Sequence, residues 1–416
     1  MSPSESILEA GLRDPAAEEF NTPTLLRLAA EQAHTRNYKD FLIVDVDAHH
    51  YETEHFAEIA KYIDNPVLRH QVQGGGRKQQ SATVPNVLPS QVGNQDLSGR
   101  ITRYRRRSEE KTPPGEHRDL TLTRRWMDAI GTDMVCLFPT PMLYLGLHPQ
   151  VEVEVGLARA YNAWLIDNVL AREPRVRSML YLPFNDPDAT YQMVKEFGGK
   201  KGVCGFVVTS VRYRQVFDNA YMKTYALMEE MGCPLSFHAG YNWNDRQMVM
   251  ANRFVTAHAL GFTFSNMLHM TNWIVNAIPE RFPRLKVIWI ESGLAWIPFL
   301  MQRLDNEYMM RSSEMPGLKA KPSDYMRRMF YSSQPMEMVD NLEALALTFK
   351  MIKADTQLLY SSDYPHWDMD LPSTIYDLPF LDETAKRNIL GGNAQRVFGV
   401  EPVFADWKLR LREAAE

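Results

Sequence analysis

The sequence predicts a (β/α)8 TIM barrel of the α/β class, with an N-terminal arm and a long insertion after strand 1. Three observations support this prediction. Eight apolar, strand-like runs recur between residues 41 and 366, most of the segments that separate them have helical periodicity, and residues 53–115 interrupt the rhythm. Alternation of strands and helices is typical of parallel β/α units, and eight such units form a barrel.

The predicted strands are short, apolar and bounded by turn-forming residues. They cover residues 41–47, 133–139, 177–184, 203–210, 234–240, 285–293, 329–335 and 357–366. The helical patterns between them are clearest over residues 153–173, 219–232, 266–283 and 335–350. Residues 382–400 predict a final helix that is interrupted near Gly391 and Gly392.

Two segments flank the predicted barrel. The arm covers residues 1–39, the barrel covers about residues 40–400, and a C-terminal tail follows at 401–416. The arm is expected to contain one helix, TPTLLRLAAEQAH, which starts from a cap at Thr22 or Thr24. Such an arm would suit an exchanged contact in a homodimer or a related oligomer.

The insertion at residues 53–115 is too long for an ordinary loop and has little periodicity. We interpret it as an addition at the top of the barrel or as an oligomer contact. Its basic run, RITRYRRRSEEK, could bind an anion or an acidic substrate, although a solvated charged surface is the more common explanation for such a run.

The composition excludes several classes of protein. Hydrophobic residues make up 45% of the chain and charged residues 23%, and the net charge of −5 gives no general attraction to nucleic acid or to an anionic membrane. No apolar run reaches membrane-spanning length and no apolar signal segment is seen, so we expect a cytoplasmic protein. Cys136, Cys204 and Cys233 lie in apolar runs without a CxxC pair, which argues against a disulfide framework and against a cysteine zinc site.

The first predicted strand ends in polar residues. In a TIM barrel the catalytic residues lie at the C-terminal ends of the strands and in the loops that follow them. In FLIVDVDAHHYE, strand alternation gives one wholly apolar face and a second face that becomes polar toward its end. The first face carries Leu42, Val44, Val46 and Ala48, and the second carries Ile43, Asp45, Asp47 and His49. Asp47 and His49 would therefore point into the barrel, and His50 would point away from it. A strand that continues into a solvent-exposed loop would have a similar sequence. This stretch alone therefore does not decide between such a loop and a metal site.

Three other predicted strands end in residues of the same kind. His238 ends the fifth strand, Glu291 the sixth and Asp363 the eighth, with His366 three residues further on. Each has an ordinary explanation by itself, such as a buried histidine or a turn before a proline. Four strands that end independently in ligand-type residues are better explained by a bound divalent metal ion. Mixed nitrogen and oxygen donors suit Zn²⁺, Mn²⁺ or Fe²⁺ and not Ca²⁺.

These residues make the chain resemble the amidohydrolase superfamily, in the amidohydrolase-related branch that includes aminocarboxymuconate-semialdehyde decarboxylase and the aromatic-acid decarboxylases. The most specific match is SSDYPHWD at strand 8, and RFPRLKVIWIESGLAWIP and NILGGNAQRVFG agree with it. The resemblance covers roughly residues 40–400. It implies one divalent metal ion (Zn, Mn or Fe), with a second ion left open. The implied metal-binding residues are Asp47, His49, His238 and Asp363.

Two departures from the family pattern affect the expected chemistry. The usual first-strand pattern is His-x-His, whereas this chain has Asp47 and His49 around Ala48, a harder set of donors that favours Mn²⁺ or Fe²⁺ over Zn²⁺. The sixth strand often ends in a histidine that acts as acid or base, whereas this chain has Glu291. Glutamate could serve as a base or as a further ligand.

Other residues could complete the acid–base machinery. His258 lies in the connection after strand 5 and could take over the histidine role, Glu52 lies just beyond strand 1, and His269 is expected to be structural. With Asp363 and Glu291, His258 forms the predicted catalytic set.

The implied function is that of a metal-dependent hydrolase or lyase acting on a small organic acid, amide, ester or lactone. The reaction would be hydrolysis by metal-activated water or non-oxidative decarboxylation. Two alternatives remain open at this point: a non-heme iron or dinuclear-metal oxygenase on the same barrel, and a non-catalytic partner subunit.

Overall fold

The computed structural model describes residues 21–38, 41–73, 111–209, 214–240, 245, 247–337 and 341–404. Within these residues, eight parallel strands form one sheet in chain order. They are β1 (Val44–His50), β2 (Met134–Pro139), β3 (Val176–Tyr181), β4 (Val203–Thr209), β5 (Leu235–His238), β6 (Val287–Ile290), β7 (Phe330–Ser332) and β8 (Leu358–Leu359). The prediction of a (β/α)8 barrel is confirmed.

Backbone hydrogen bonds bring the two ends of the sheet together. Val46 N donates to Tyr360 O at 2.9 Å, and Asp363 N donates to Asp47 O at 2.8 Å. These bonds join β1 to the segment that follows β8, so the first and last strands of the chain meet. The ends of β1 and β8 therefore face the same part of the barrel mouth.

Helices alternate with the strands and cover the barrel. In chain order they are α1 (Thr22–Thr35), α2 (Phe56–Ile59), α3 (Pro66–Val72), α4 (Arg118–Ile130), α5 (Val151–Leu165), α6 (Pro187–Phe197), α7 (Met222–Met231), α8 (Phe254–Val275), α9 (Ile278–Arg281), α10 (Trp296–Arg311), α11 (Pro322–Met326), α12 (Leu342–Ile352), α13 (Ala354–Gln357), α14 (Ser373–Tyr376), α15 (Glu383–Arg387) and α16 (Asn393–Phe398). The described helices include none that is long and apolar enough to cross a membrane.

The described part of the arm packs on the barrel of its own chain. Helix α1 lies against α4, and Arg36 Nε donates to Asp377 Oδ1 at 2.8 Å. The predicted threonine cap is wrong: Asn21 is the N-cap, and its side chain accepts a hydrogen bond from Thr24 N at 2.9 Å. Asparagine caps well because its short side chain reaches the unpaired N–H groups of the first turn.

Two predicted helices have different bounds. The pattern at 266–283 falls on two helices, because Ala277 adopts a left-handed conformation (φ 55°) between α8 and α9. The pattern at 335–350 forms a helix only from Leu342, where the Asn341 side chain caps α12 by accepting from Glu343 N at 2.8 Å.

The insertion is more regular at its start than its sequence predicts. Residues 52–72 form short helical segments that include α2 and α3. Residues 74–110, which contain nearly all of the basic run, lie outside the described residues. The insertion at residues 53–115 and its role therefore stay predictions. Most of the predicted tail at 401–416 also lies outside the described residues.

The predicted interruption of the last helix is a π-helical turn, Asn388–Gly392, between α15 and α16. This turn brings the backbone against the segment that leads into β1. A Cβ atom on Gly391 would lie only 2.2 Å from Leu42 O. Glycine at this position is therefore required by a close backbone approach.

We expect Gly391→Ala to lower the free energy of unfolding by at least about 2 kcal/mol, because backbone must move to admit the methyl group. Gly392→Ala in the same turn is the matched control. Its Cβ would lie 3.1 Å from the side-chain oxygen of Asn388, and the next nearest atoms lie at 3.7 and 3.8 Å. Urea denaturation followed by circular dichroism measures both. Equal midpoints for Gly391→Ala and wild type would contradict this packing.

Candidate metal centre

Four buried side chains meet at the C-terminal ends of the strands. Asp47 and His49 come from β1, His238 from the end of β5, and Glu291 directly follows β6. Each side chain offers one donor atom, and these atoms lie within 4.8 Å of one another. Asp363, after β8, adjoins the same group through His49. The residues predicted from the four strand ends are thus brought together.

The distances between the donor atoms match those of ligands around one ion. His238 Nε2 lies 3.2 Å from His49 Nε2 and 3.4 Å from Glu291 Oε2. Asp47 Oδ1 lies 3.3 Å from both histidine Nε2 atoms, and Asp363 Oδ1 lies 3.3 Å from His49 Nε2. An ion about 2.0–2.2 Å from each ligand separates neighbouring ligand atoms by roughly 3.0–3.5 Å.

Hydrogen bonds to backbone carbonyls orient both histidine rings. His49 Nδ1 lies 3.1 Å from Pro139 O, and His238 Nδ1 lies 2.8 Å from Ala239 O. A carbonyl only accepts, so these contacts are hydrogen bonds when Nδ1 carries the proton. The neutral rings then direct their Nε2 lone pairs at each other and at the carboxylates, which is the arrangement of metal-bound histidine.

The charge state of the cluster also fits a cation. Burial lowers the pKa of His49 below its ordinary value, although Asp47 opposes this effect. Asp47 Oδ2 is buried and has no hydrogen-bond partner within the described part of the chain. A divalent ion would satisfy that oxygen, so the residues present fit such an ion.

Asp45 fixes the end of β1 against the segment after β8. Its carboxyl group accepts hydrogen bonds from Ser362 N at 2.9 Å, from Ser362 Oγ at 2.5 Å and from Asp47 N at 3.2 Å. Burial raises the pKa of Asp45 to about 7, although its hydrogen bonds oppose that shift. Asp45 lies one strand repeat below Asp47, and it therefore holds Asp47 and Asp363 in register.

Glu291 and Asp363 share an uncommon backbone conformation. Their φ angles are 52° and 58°, in the left-handed region that non-glycine residues rarely adopt. Backbone hydrogen bonds hold both: Glu291 N donates to Ser332 Oγ at 2.9 Å, and Asp363 N donates to Asp47 O at 2.8 Å. Such conformations cost about 1–3 kcal/mol each and concentrate at functional sites. Here both occur at strand ends whose carboxylates face the donor cluster.

His366 also belongs to the centre, although its position in the sequence alone did not assign it a role. Its Nδ1 lies 2.7 Å from Asp363 Oδ1, and its ring centroid lies 4.4 Å from that of His49. His49, Asp363 and His366 form a second, overlapping group of donors. The signal was the three-residue spacing of Asp363 and His366 across a turn, which places both side chains on one side.

Glu52 has a role other than that of a ligand. It is fully buried, and its carboxyl oxygens accept hydrogen bonds from Thr140 N at 3.0 Å and Met142 N at 2.6 Å. It thereby caps the helical turn Pro141–Leu147 that follows β2. Burial raises the pKa of Glu52 to about 8. The donor groups formed by described residues do not include it.

The other histidines named from the sequence have different surroundings. His258, near the start of α8, lines the same cavity as Glu291, and its Nε2 lies 3.2 Å from Asp368 Oδ2. His269 is buried further along α8 and stacks on Phe237, in keeping with a structural role. His50 points out of the barrel, as strand alternation predicts, with Nδ1 2.6 Å from Asp119 Oδ2.

A cavity of about 260 Å³ opens beside Glu291. It lies between the start of α8 and the segments that follow β6 and β7. Apolar side chains and carboxylates both contribute to its wall, which is formed by His258, Ala259, Phe262, Thr263, Glu291, Ser292, Gly293, Pro335, Met336 and Glu337. A small molecule in this cavity would contact Glu291 and His258.

Comparisons with known proteins agree with the fold. A family model described as amidohydrolase matches residues 111–400. The chain is 22% identical to gamma-resorcylate decarboxylase from Polaromonas sp. over 251 residues, which is 58% of this chain and 76% of that protein. It is also 22% identical to 2-amino-3-carboxymuconate-6-semialdehyde decarboxylase from Dictyostelium discoideum over 281 residues, which is 65% of this chain and 74% of that protein.

One similar solved structure contains a metal ion. It is 5-carboxyvanillate decarboxylase from Novosphingobium aromaticivorans, complexed with manganese and 4-hydroxy-3-methoxy-5-nitrobenzoic acid. The TM-score is 0.60 at 17% sequence identity, and the match covers 87% of this chain and 97% of that one. At this identity the likeness establishes the shared fold.

We expect wild type to retain its metal ion through extensive dialysis and His238→Ala to lose it, because the substitution removes one donor from the centre of the cluster. Elemental analysis of protein purified without chelator measures the loss, and circular dichroism verifies the fold. His148→Ala is the control, since the hydrogen bonds of the His148 ring to described residues stay within its own loop, at Gln150. Full metal content in folded His238→Ala protein would show that the ion is held elsewhere.

Proposed function

The chain belongs to the amidohydrolase family, and from this premise we propose that it is a metal-dependent decarboxylase of a small aromatic or unsaturated organic acid. The observation that carries the proposal is the buried cluster of two oriented histidines and several carboxylates beside a small cavity. The named decarboxylases to which the chain is similar support the same reaction type. The reaction would release CO2 without oxidation.

Asp47, His49, His238 and Asp363 are the residues that we assign to one divalent ion. Glu291 Oε2 lies 3.4 Å from His238 Nε2, and we assign Glu291 to proton transfer and not to ligation. Because several donors are carboxylate oxygens, the set favours Mn²⁺ or Fe²⁺ over Zn²⁺. An ion held there would supply positive charge to bind the carboxylate of the substrate.

The second donor group, with His366, overlaps the first. It shares both His49 and Asp363 with the first assignment. We assign His366 the role of orienting Asp363 and not that of a ligand to a second ion. Its Nδ1 lies 2.7 Å from Asp363 Oδ1 and so fixes the orientation of that carboxylate.

Glu291 and His258 are placed to supply the proton that the reaction consumes. Decarboxylation breaks the bond between the carboxylate and its carbon, leaving an electron pair on that carbon that must take a proton as CO2 leaves. Both residues line the cavity, so either can reach a substrate carbon held there. Asp368 Oδ2 lies 3.2 Å from His258 Nε2 and orients that ring. Asp363 contacts His49 and His366. We assign it to orient the carboxyl end of the substrate and to hold a proton.

The size of the cavity supports a small substrate. Its volume of about 260 Å³ lies just below the range of ordinary ligand pockets, about 300–1,000 Å³. Phe262, Pro335 and Met336 supply apolar surface for a ring or an unsaturated chain. The substrate would therefore be a single-ring acid or an acid of similar size.

We expect one CO2 per molecule of substrate consumed, at equal rates with and without oxygen, when the holoenzyme is assayed with single-ring acids such as 2,6-dihydroxybenzoate and 5-carboxyvanillate. Glu291→Gln should lower kcat by about 10²-fold or more while the ion is retained, because the variant cannot transfer a proton. Glu230→Gln, on the exposed surface of α7, is the control.

The same assay separates the alternatives. CO2 release that requires oxygen would favour the oxygenase, and hydrolysis of esters or lactones without CO2 release would favour the hydrolase. A chain that retains no metal after gentle purification and turns over none of these compounds would favour the non-catalytic partner subunit. Each of these results would contradict the decarboxylase assignment.

We further propose that the protein acts as a cytoplasmic homodimer. Its buried Cys136 and Cys204 are free thiols, as is common in a reducing compartment. Leu260, Phe264 and Leu268 recur every fourth residue on α8 and are 41%, 42% and 58% exposed. An apolar stripe of this kind on a protein with no membrane-spanning helix in its described part is typical of a subunit contact.

We expect Phe264→Glu to halve the mass measured by light scattering coupled to size-exclusion chromatography, because it places a charge in the middle of the stripe. Leu347→Glu, at an exposed position on α12, should leave the mass unchanged. A monomeric wild type at micromolar concentration would contradict the dimer without affecting the decarboxylase proposal.

A further inference from the structure

A second carboxylate, that of Glu337, holds the turn that carries Glu291. Glu337 follows β7, and its Oε1 and Oε2 atoms accept hydrogen bonds from Leu294 N at 3.1 and 3.0 Å. Oε1 also accepts a hydrogen bond from Ala295 N at 3.0 Å. Ala295 is the N-cap of α10, so neither N–H group has a carbonyl partner within the helix. Glu337 therefore ties the segment after β7 to the segment after β6.

The turn from Glu291 to Gly293 has a backbone that needs such support. The φ angles of Glu291 and Gly293 are 52° and 74°, both in the left-handed region. A Cβ atom on Gly293 would lie 2.5 Å from Glu337 Oε1. Glycine is therefore required at residue 293 both by its conformation and by the close approach of the Glu337 carboxylate.

Other contacts restrain the beginning of the turn. Glu291 N donates to Ser332 Oγ at 2.9 Å, and Thr263 Oγ1 donates to Ser292 O at 3.0 Å. Glu337 restrains the other end of the turn, where it meets α10. The position of Glu291 thus depends on contacts at both ends of the turn, and Glu337 supplies those at the far end.

Glu337 lies beside the substrate cavity but is not placed to transfer a proton. It lines the cavity together with Glu291. Its two carboxyl oxygens accept from backbone N–H groups, and the start of α10 favours a negative charge there. A protonated Glu337 would lose part of this bonding, so its carboxylate is suited to holding the turn and not to acid catalysis.

We propose that Glu337 is a positioning residue that holds the Glu291 carboxyl group in place to protonate a substrate carbon in the cavity. This inference rests on the proposed function, in which Glu291 supplies the proton. A shift of about 1 Å in a reacting group can lower a rate by about 10²-fold. A carboxylate that only capped α10 would affect the free energy of unfolding and leave proton transfer unchanged.

Glu337→Gln is the test variant, because it keeps the size of the side chain and replaces one acceptor oxygen by an amide NH2 group. We expect kcat for CO2 release by the holoenzyme to fall about 10-fold or more, with the central metal ion retained. Asp382→Asn is the matched control, since Asp382 also caps a helix, α15, by accepting from Ala385 N at 2.8 Å. Asp382 lies outside the set of residues that line the cavity, and its variant should keep the kcat of wild type.

The same substitution in Glu291→Gln protein separates positioning from a general structural effect. Glu337→Gln should lower the residual kcat of that protein by less than about 2-fold, because the group that it positions is already absent. An equal fold loss in both backgrounds, or an unchanged kcat in the single variant, would overturn the proposal. A wild type that releases no CO2 would contradict the proposed function instead, and hydrogen exchange then tests Glu337 by itself.

Hydrogen exchange followed by mass spectrometry tests the turn without any substrate. Peptides that cover residues 291–296 should exchange faster in Glu337→Gln than in wild type, and Asp382→Asn should match wild type. Gly293→Ala should have the same effect as Glu337→Gln, because its methyl group displaces the Glu337 carboxylate. Gly232→Ala is its control, with a similar φ of 68° and open space around the added Cβ. Equal exchange in wild type and Glu337→Gln would overturn the positioning role.

Discussion

The structure of the barrel mouth depends on one electrostatic constraint. The Nε2 atoms of His49 and His238 lie 3.2 Å apart, and both rings are oriented by carbonyls that accept from Nδ1. Their lone pairs face each other and a group of carboxylates in a buried space. Such groups repel one another unless a cation lies between them, and a divalent ion at this point would turn that repulsion into ligation.

The rest of the barrel end holds these groups in place. Asp45 ties β1 to Ser362, and the left-handed conformations of Glu291 and Asp363 turn their carboxylates toward the cluster. Each feature carries a cost in isolation, as a buried carboxyl group or a strained backbone does. Their concentration at one end of the barrel indicates a site that is preorganised for charge, which suits both metal binding and the removal of a carboxylate.

The sequence predicted the strands and most of the site because both follow from local rules. Buried parallel strands are continuous apolar runs, and alternation within β1 is enough to direct Asp47 and His49 inward and His50 outward. The sequence could not predict that His366 belongs to the site, because the position of its ring depends on how the turn after β8 folds back on His49. Nor could it show that Glu52 accepts hydrogen bonds from backbone amides of the next unit, since those amides are 88 and 90 residues away. Helix bounds were missed at Ala277, where a left-handed residue gives no periodic signal.

The most direct test of the central claim is an anomalous-scattering measurement on crystals of the protein purified without chelator. The account predicts a peak at the absorption edge of the bound metal, about 2.0–2.3 Å from Asp47, His49 Nε2 and His238 Nε2. The absence of a peak there, with the two histidines protonated and hydrogen-bonded to the carboxylates, would contradict it.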